Sequence, residues 1–314
     1  RGLSEGLVSS ESKNPLKETF KELVGLTPFG LLGSDNLKKE LTINFFFTVS
    51  ILLASYSLYV LTGDFLQWTA FGIGVYVICN WIHGLKNRDP VAFLLIFRSK
   101  ALLLGLLSFP FITFVTYALG AFGPSFYIRN FSMTATEVGI IYGLITVFGS
   151  MIGVICGGII GDKLRESYVN GKLYLIMASA LLTGITAIGF IHSENLVASF
   201  SWKFVYHIAS TAWLGCAAST VTELVLPRLR AVASAFFILM LSMIGLALGP
   251  YLTGMVSDIY INSGELPGPA LKIAMTMTLV VLVLPFGMLA VACKYLKNDE
   301  AEIYEKARSM GEEI

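Results

Sequence analysis

Ser150-Met151-Ile152-Gly153-Val154-Ile155-Cys156-Gly157-Gly158-Ile159-Ile160-Gly161-Asp162 lies on a long apolar segment and reaches an acid just where the hydrophobicity stops. Its opening returns 92 residues later as Ser242-Met243-Ile244-Gly245, followed by Gly249-Pro250, Gly254 and Asp258. A four-residue identity is weak by itself. A shared place on an apolar segment, a shared glycine spacing and a shared terminal Asp make it an internal repeat.

Around this repeat the chain is strongly apolar. It is 55% hydrophobic and 14% charged, with a mean hydropathy of +0.73. A soluble domain carries about 25% charged residues, so these 314 residues read as an integral membrane protein in a lipid bilayer. A net charge of +1 gives no reason to expect nucleic acid. Cys79, Cys156, Cys216 and Cys293 fall on different apolar segments, with no CxxC and no His at ligand spacing. They read as packing residues, with no disulfide, no metal and no cofactor expected. The chain opens on Arg1-Gly2 without Met or signal peptide, and is expected to be part of something longer.

Residues 1–40 read as a linker, in which Leu16, Phe20, Leu23 and Val24 form the apolar face of a short interfacial helix. Eight spans of the roughly 20 residues a bilayer demands follow, at about 41–62, 66–85, 100–122, 134–161, 173–192, 202–225, 229–257 and 270–295. The first two form a tight hairpin, domain 41–86, with Trp68, Tyr76 and Trp81 placed near the interfaces. The remaining six make a bundle over 100–296, and 297–314 is a charged tail. Thr134-Ala135-Thr136-Glu137 matches a capping box.

With the N-terminus in the cytoplasm, 19 of the 22 Lys and Arg fall on the cytoplasmic side. Only Arg129, Lys203 and Lys272 lie outside or at outer span ends. Both termini are then cytoplasmic, in what is expected to be a bacterial inner membrane. The span carrying the first copy of the repeat ends inside, at Asp162; the span carrying the second ends outside, at Asp258. The fold expected is all-α, the last six helices forming a 3+3 inverted repeat over 100–192 and 202–295.

These residues resemble the C-terminal half of a major facilitator superfamily transporter. Gly158-Ile159-Ile160-Gly161-Asp162-Lys163-Leu164-Arg165 is similar to the superfamily's loop signature, without its later Gly and with Glu166 where a basic residue is common. Gly245, Gly249-Pro250 and Gly254 are similar to its glycine–proline helix signature. Leu226-Pro227-Arg228-Leu229-Arg230-Ala231 and Gly120-Ala121-Phe122-Gly123-Pro124-Ser125-Phe126 resemble Spinster-like members. The hairpin looks like the extra linker helices that some branches insert between halves. The resemblance implies a secondary transporter that works by alternating access on a small organic or amphipathic solute, and an N-terminal six-helix half as partner. It also implies a cytoplasmic latch at Asp162, Lys163 and Arg165.

Ionised groups inside a membrane are normally functional. Glu223, near Arg230, is the acid read as lying within a span, and a gating or proton-linked role competes with simple pairing to Arg228 or Arg230. His207 is a relay candidate or a packing histidine. Asp258 reads as a cap. Gly153, Gly157, Gly245, Gly249 and Gly254 allow close helix contact, with flexing at Pro250. The superfamily pattern implies a cavity lined by Tyr117, Tyr127, Tyr142, Ser210, Thr211, Trp213 and Ser242. A membrane-embedded enzyme would need a catalytic cluster that three scattered histidines do not supply, and a non-transporting scaffold or receptor is the other alternative.

Overall fold

The computed structural model describes residues 37–309, which divide into two compact units after Phe93. The interfacial helix expected over residues 15–24 lies outside the described residues. The first unit is a hairpin of α1 (Leu37–Thr62) and α2 (Phe65–Arg88). Gly63 makes the turn at φ +82, a backbone state that glycine adopts without strain. Trp68 donates its indole N–H to the Thr62 hydroxyl at 2.6 Å, so it packs into the turn and is 5% exposed. Further along, Asn44 donates to Asn80 at 2.6 Å, Tyr76 donates to Asn44 at 2.9 Å, and Glu40 pairs with His83. This polar seam holds together two helices that have no hydrophobic driving force between them in lipid. A short helix, α3 (Pro90–Arg98), follows; Asp89 accepts from its Ala92 N–H at 2.8 Å.

The second unit contains α4 (Lys100–Phe131), α5 (Ala135–Ser167), α6 (Gly171–His192) and α7 (Leu196–Glu223). Two interrupted helices complete it. In one, α8 (Arg230–Met240) continues through a π segment, Leu241–Leu246, into α9 (Ala247–Asn262). In the other, α10 (Pro267–Thr278) continues through a 3-10 turn, Leu279–Leu282, into α11 (Val283–Ser309). Both interruptions precede a proline, Pro250 or Pro285, whose missing N–H breaks the regular ladder. The structural irregularity therefore lies one turn ahead of Pro250, and Ser242 and Gly245 sit inside it.

Among the described residues, seven helical stretches are long and apolar enough to cross a membrane: α1, α2, α4, α5, α6, Pro227–Asn262 and Pro267–Glu302. Eight spans were expected. The sixth falls on α7, which has the length, at 28 residues, but is less apolar because Lys203, His207 and a run of Ser and Thr interrupt it. It starts at Leu196 rather than 202, because Asn195 caps it by accepting from the Val197 and Ala198 N–H groups at 2.8 and 3.2 Å. The capping box at Thr134 and Glu137 forms as read from the sequence. The last helix does not stop at the membrane end of the eighth span. It runs on to Ser309, so the charged tail, whose Glu302 and Lys306 stand at the i, i+4 spacing of a solvated helix, continues it.

Contacts at the helix ends fix the topology. The start of α4 lies against Asp299 on α11, the end of α5 against Glu300, and the start of α6 against the end of α7. At the opposite end, Gly268 at the start of α10 lies against Arg129 and Asn130 at the end of α4. Successive helices are antiparallel, so Asp162 and Asp258 lie at opposite ends.

The repeat explains how the two triplets join. A Cβ at Gly153 or Gly157 on α5 would overlap the backbone of Ile208 or Ala212 on α7. A Cβ at Gly245 or Gly249 would overlap Thr113 or the Phe114 carbonyl on α4. The middle helix of each triplet thus lays its glycine edge on the first helix of the other. This reciprocity is what an inverted repeat requires.

Candidate functional site

The Asp162 end gathers charges from four helices. Arg165, in the last turn of α5, places Nη2 at 2.5 and 2.7 Å from the two carboxylate oxygens of Glu300 on α11, and also donates to the Val169 carbonyl. Lys172, in the first turn of α6, is 7% exposed and bonds the Glu223 carboxylate at the end of α7. It also stands 3.8 Å from Asp162 Oδ1. Asp162 itself is open, with 77% of its side chain exposed. Next to Glu300, Asp299 accepts from the Ser99 hydroxyl at 2.9 Å and from the Ala101 N–H at 2.8 Å, and so holds the start of α4.

Exposed ion pairs contribute little, about 0–1 kcal/mol. Lys172 is the member of this network that is taken out of water, so the network matters most there. Glu223 pairs with Lys172. Arg230 donates Nε to the Thr222 carbonyl at 3.2 Å. Lys163 is exposed. Asp258 caps nothing: it is exposed, and α9 continues past it to Asn262.

The residues expected to line a cavity differ in burial. Tyr127, Tyr142, Ser210 and Trp213 are buried in the bundle. Tyr127 shares a hydrogen bond with Ser199 at 3.1 Å, Ser210 donates to the His207 carbonyl at 3.4 Å and Trp213 donates to the Ser210 carbonyl at 2.9 Å. The Tyr142 hydroxyl lies 3.4 Å from both the Leu119 and the Gly120 carbonyls, the second being the acceptor that Pro124 leaves without its helical partner. Thr211, half-buried, bridges to the Ser150 carbonyl at 3.2 Å. Tyr117 and Ser242 are exposed. Of the seven, these two stand on the surface of the bundle.

His207 is 6% exposed and bonds Thr146 at 3.1 Å. The Thr146 hydroxyl donates to the Tyr142 carbonyl at 2.8 Å, so it accepts from His207 Nε2–H, and the imidazole is tied into the packing. The four cysteines are free thiols on four separate helices. Among the described residues, no cluster of His, Cys, Asp or Glu is built to hold a metal.

Sequence reasoning placed Lys203 at an outer span end. Lys203 is instead fully buried, and its Nζ has no hydrogen-bond partner. Three rings enclose it, with centroids at 4.3 Å (Phe190), 4.4 Å (Tyr206) and 4.9 Å (Tyr142). Burying an ammonium costs several kcal/mol, while each desolvated cation–π contact returns about 2 kcal/mol. The two terms are of similar size. The missed signal was Asn195: read as the cap of α7, it would have put Lys203 two turns inside the helix. Lys172 and Glu300 were missed because their partners lie 51 and 135 residues away.

No family model matches the chain. An MFS-type efflux pump of Mycolicibacterium smegmatis is 28% identical over 214 residues, 67% of this chain and 48% of that protein. Protein spinster of Drosophila melanogaster is 27% identical over 173 residues, 51% of this chain and 28% of that one. The chain is similar in sequence to an MFS-type efflux pump and to Spinster proteins. Human protein spinster homolog 1 is 26% identical over 177 residues, 51% of this Spinster-like chain and 33% of that protein. A solved bacterial homologue of the human lysosomal transporter Spinster, inward-facing and unoccupied, superposes with a TM-score of 0.53 at 21% identity. That match covers 77% of this chain and 59% of that one. The Spinster-like chain therefore spans about half the length of the mycobacterial pump it matches, and less of the spinster proteins.

Proposed function

We propose that residues 100–296 form the C-terminal six-helix half of a secondary active transporter, preceded by an inserted two-helix hairpin over 41–86. It works with an N-terminal half by alternating access on a small organic or amphipathic solute. The reciprocal glycine contacts carry this reading, because two inverted triplets are the build that lets a central path open to either face. The few exposed hydroxyls and the apolar walls, with Tyr117 and Ser242 on the surface, favour a weakly polar cargo over a multivalent anion. The Asp162 end is the cytoplasmic one, since it carries the excess of Lys and Arg, in a bacterial inner membrane. Asp162, Lys163 and Arg165 act there as a latch that breaks and re-forms as the halves rock, and Glu223 is the acid at which proton coupling would act.

The test is uptake by the complete transporter. Asp162→Asn and Arg165→Ala are expected to slow transport several-fold with little loss of folded protein, and Glu223→Gln to shift the pH profile of uptake. Wild-type rates in both latch variants would sink the latch, and an unchanged profile would leave Glu223 structural.

A further inference from the structure

Lys203 is a buried ionisable group that the transport reading leaves without a role. Its side chain has no exposure, and the rings around it are themselves 8% exposed or less. Among the described residues, no carboxylate lies within ion-pair distance of it. The titratable groups around it are Tyr142 from α5, Tyr206 and His207 from α7, and Tyr127 from α4. From α6 comes the Phe190 ring, and from α10 the apolar Leu271 and Met275 of the same core cluster. The Tyr206 hydroxyl faces Thr116 and Ser210 without hydrogen-bond geometry to either.

With no hydrogen-bond partner on Nζ to relay a proton, a box of this kind exchanges its proton with water only when the bundle opens transiently. The rings favour the ammonium, and the dry surroundings without a counter-ion favour the amine. Lys172, by contrast, has the carboxylates of Glu223 and Asp162 beside it. We propose that Lys203 is a proton-binding site sealed inside the six-helix bundle, whose occupancy follows the pH of the surrounding water. On release the N–H bond breaks, its electron pair stays on Nζ and the proton passes to a water molecule admitted by that opening. The inference does not depend on transport, and neither does its test.

The purified chain, in lipid nanodiscs, is unfolded thermally between about pH 5 and about pH 9 as wild type, Lys203→Met and Lys203→Arg. A lysine whose proton is bound differently in the folded and the unfolded chain makes wild-type stability relative to Lys203→Met change with pH. A difference in Tm that moves by several degrees across the range is the expected result. Arginine keeps its charge throughout, so the Lys203→Arg and Lys203→Met curves should stay parallel. A wild-type minus Lys203→Met difference that is flat with pH overturns the proposal. Should the Met variant fail to fold, carbon-13 labelling of lysine Cε supplies a second reading. The resonance lost in Lys203→Arg should move with pH over the same range, and a stationary resonance also overturns the proposal.

Discussion

A methyl group at Gly157 would overlap the Ala212 carbonyl, while one at Gly158 would meet open space. Gly157→Ala is therefore expected to lower stability by about 1–3 kcal/mol through overpacking, and Gly158→Ala to leave it unchanged or slightly raised through helix propensity. Thermal unfolding of the two purified variants checks this. Equal melting temperatures would mean that α5 does not lie on α7. Gly249→Ala, against the Phe114 carbonyl, should behave as Gly157→Ala does. These glycines were legible in the sequence because the signal is local: four-residue spacing on one helix face, repeated. Lys203 was not, because its meaning depends on where α7 begins, and a six-residue error in that start moves a buried lysine to the surface. The seam of Glu40, Asn44, Asn80 and His83 has only a faint local signal, polar residues at helical spacing, because its pairs form between two helices, 36 and 43 residues apart in the chain.

At the scale of the helix, the breaks are where side chains take over from the backbone. Pro124 frees the Gly120 carbonyl, and the Tyr142 hydroxyl of the next helix reaches it. Tyr142→Phe keeps the ring and loses that bond, for an expected loss of about 0.5–1 kcal/mol. In a Pro124→Ala background the backbone N–H of Ala satisfies Gly120, and the same substitution should cost less, leaving only the contact with the Leu119 carbonyl to lose. A double-mutant cycle on unfolding measures the coupling, and a coupling of zero would show that the tyrosine does not serve the kink. The element ends followed chemistry visible in the sequence wherever a cap was present, as at Thr134. They departed from it where a helix outlasts its apolar stretch, as α11 does by running on to Ser309. Hydropathy marks where a helix leaves the membrane, whereas Asp299 and Glu300 keep this one going by bonding the ends of α4 and α5.

For the whole molecule, the reciprocal contacts tie one triplet, α4 to α6, to the other, α7 to α11, through two separate seams. The link between them, Ser193 to Asn195, is short and lies at the bundle end. Each triplet alone would leave uncovered the backbone groove that the other's glycine edge fills. A chain cut in that link and produced as two polypeptides is therefore expected to re-form the bundle in the membrane and to co-purify through a tag on either piece, while each piece made alone is degraded. Recovery of a stable single piece would refute the interdependence. The same mutual dependence bears on how such a bundle is synthesised: the first three helices emerge from the ribosome with their mating surface still unmet, and must wait, shielded by lipid or insertase, until the second three arrive upside down to clasp them.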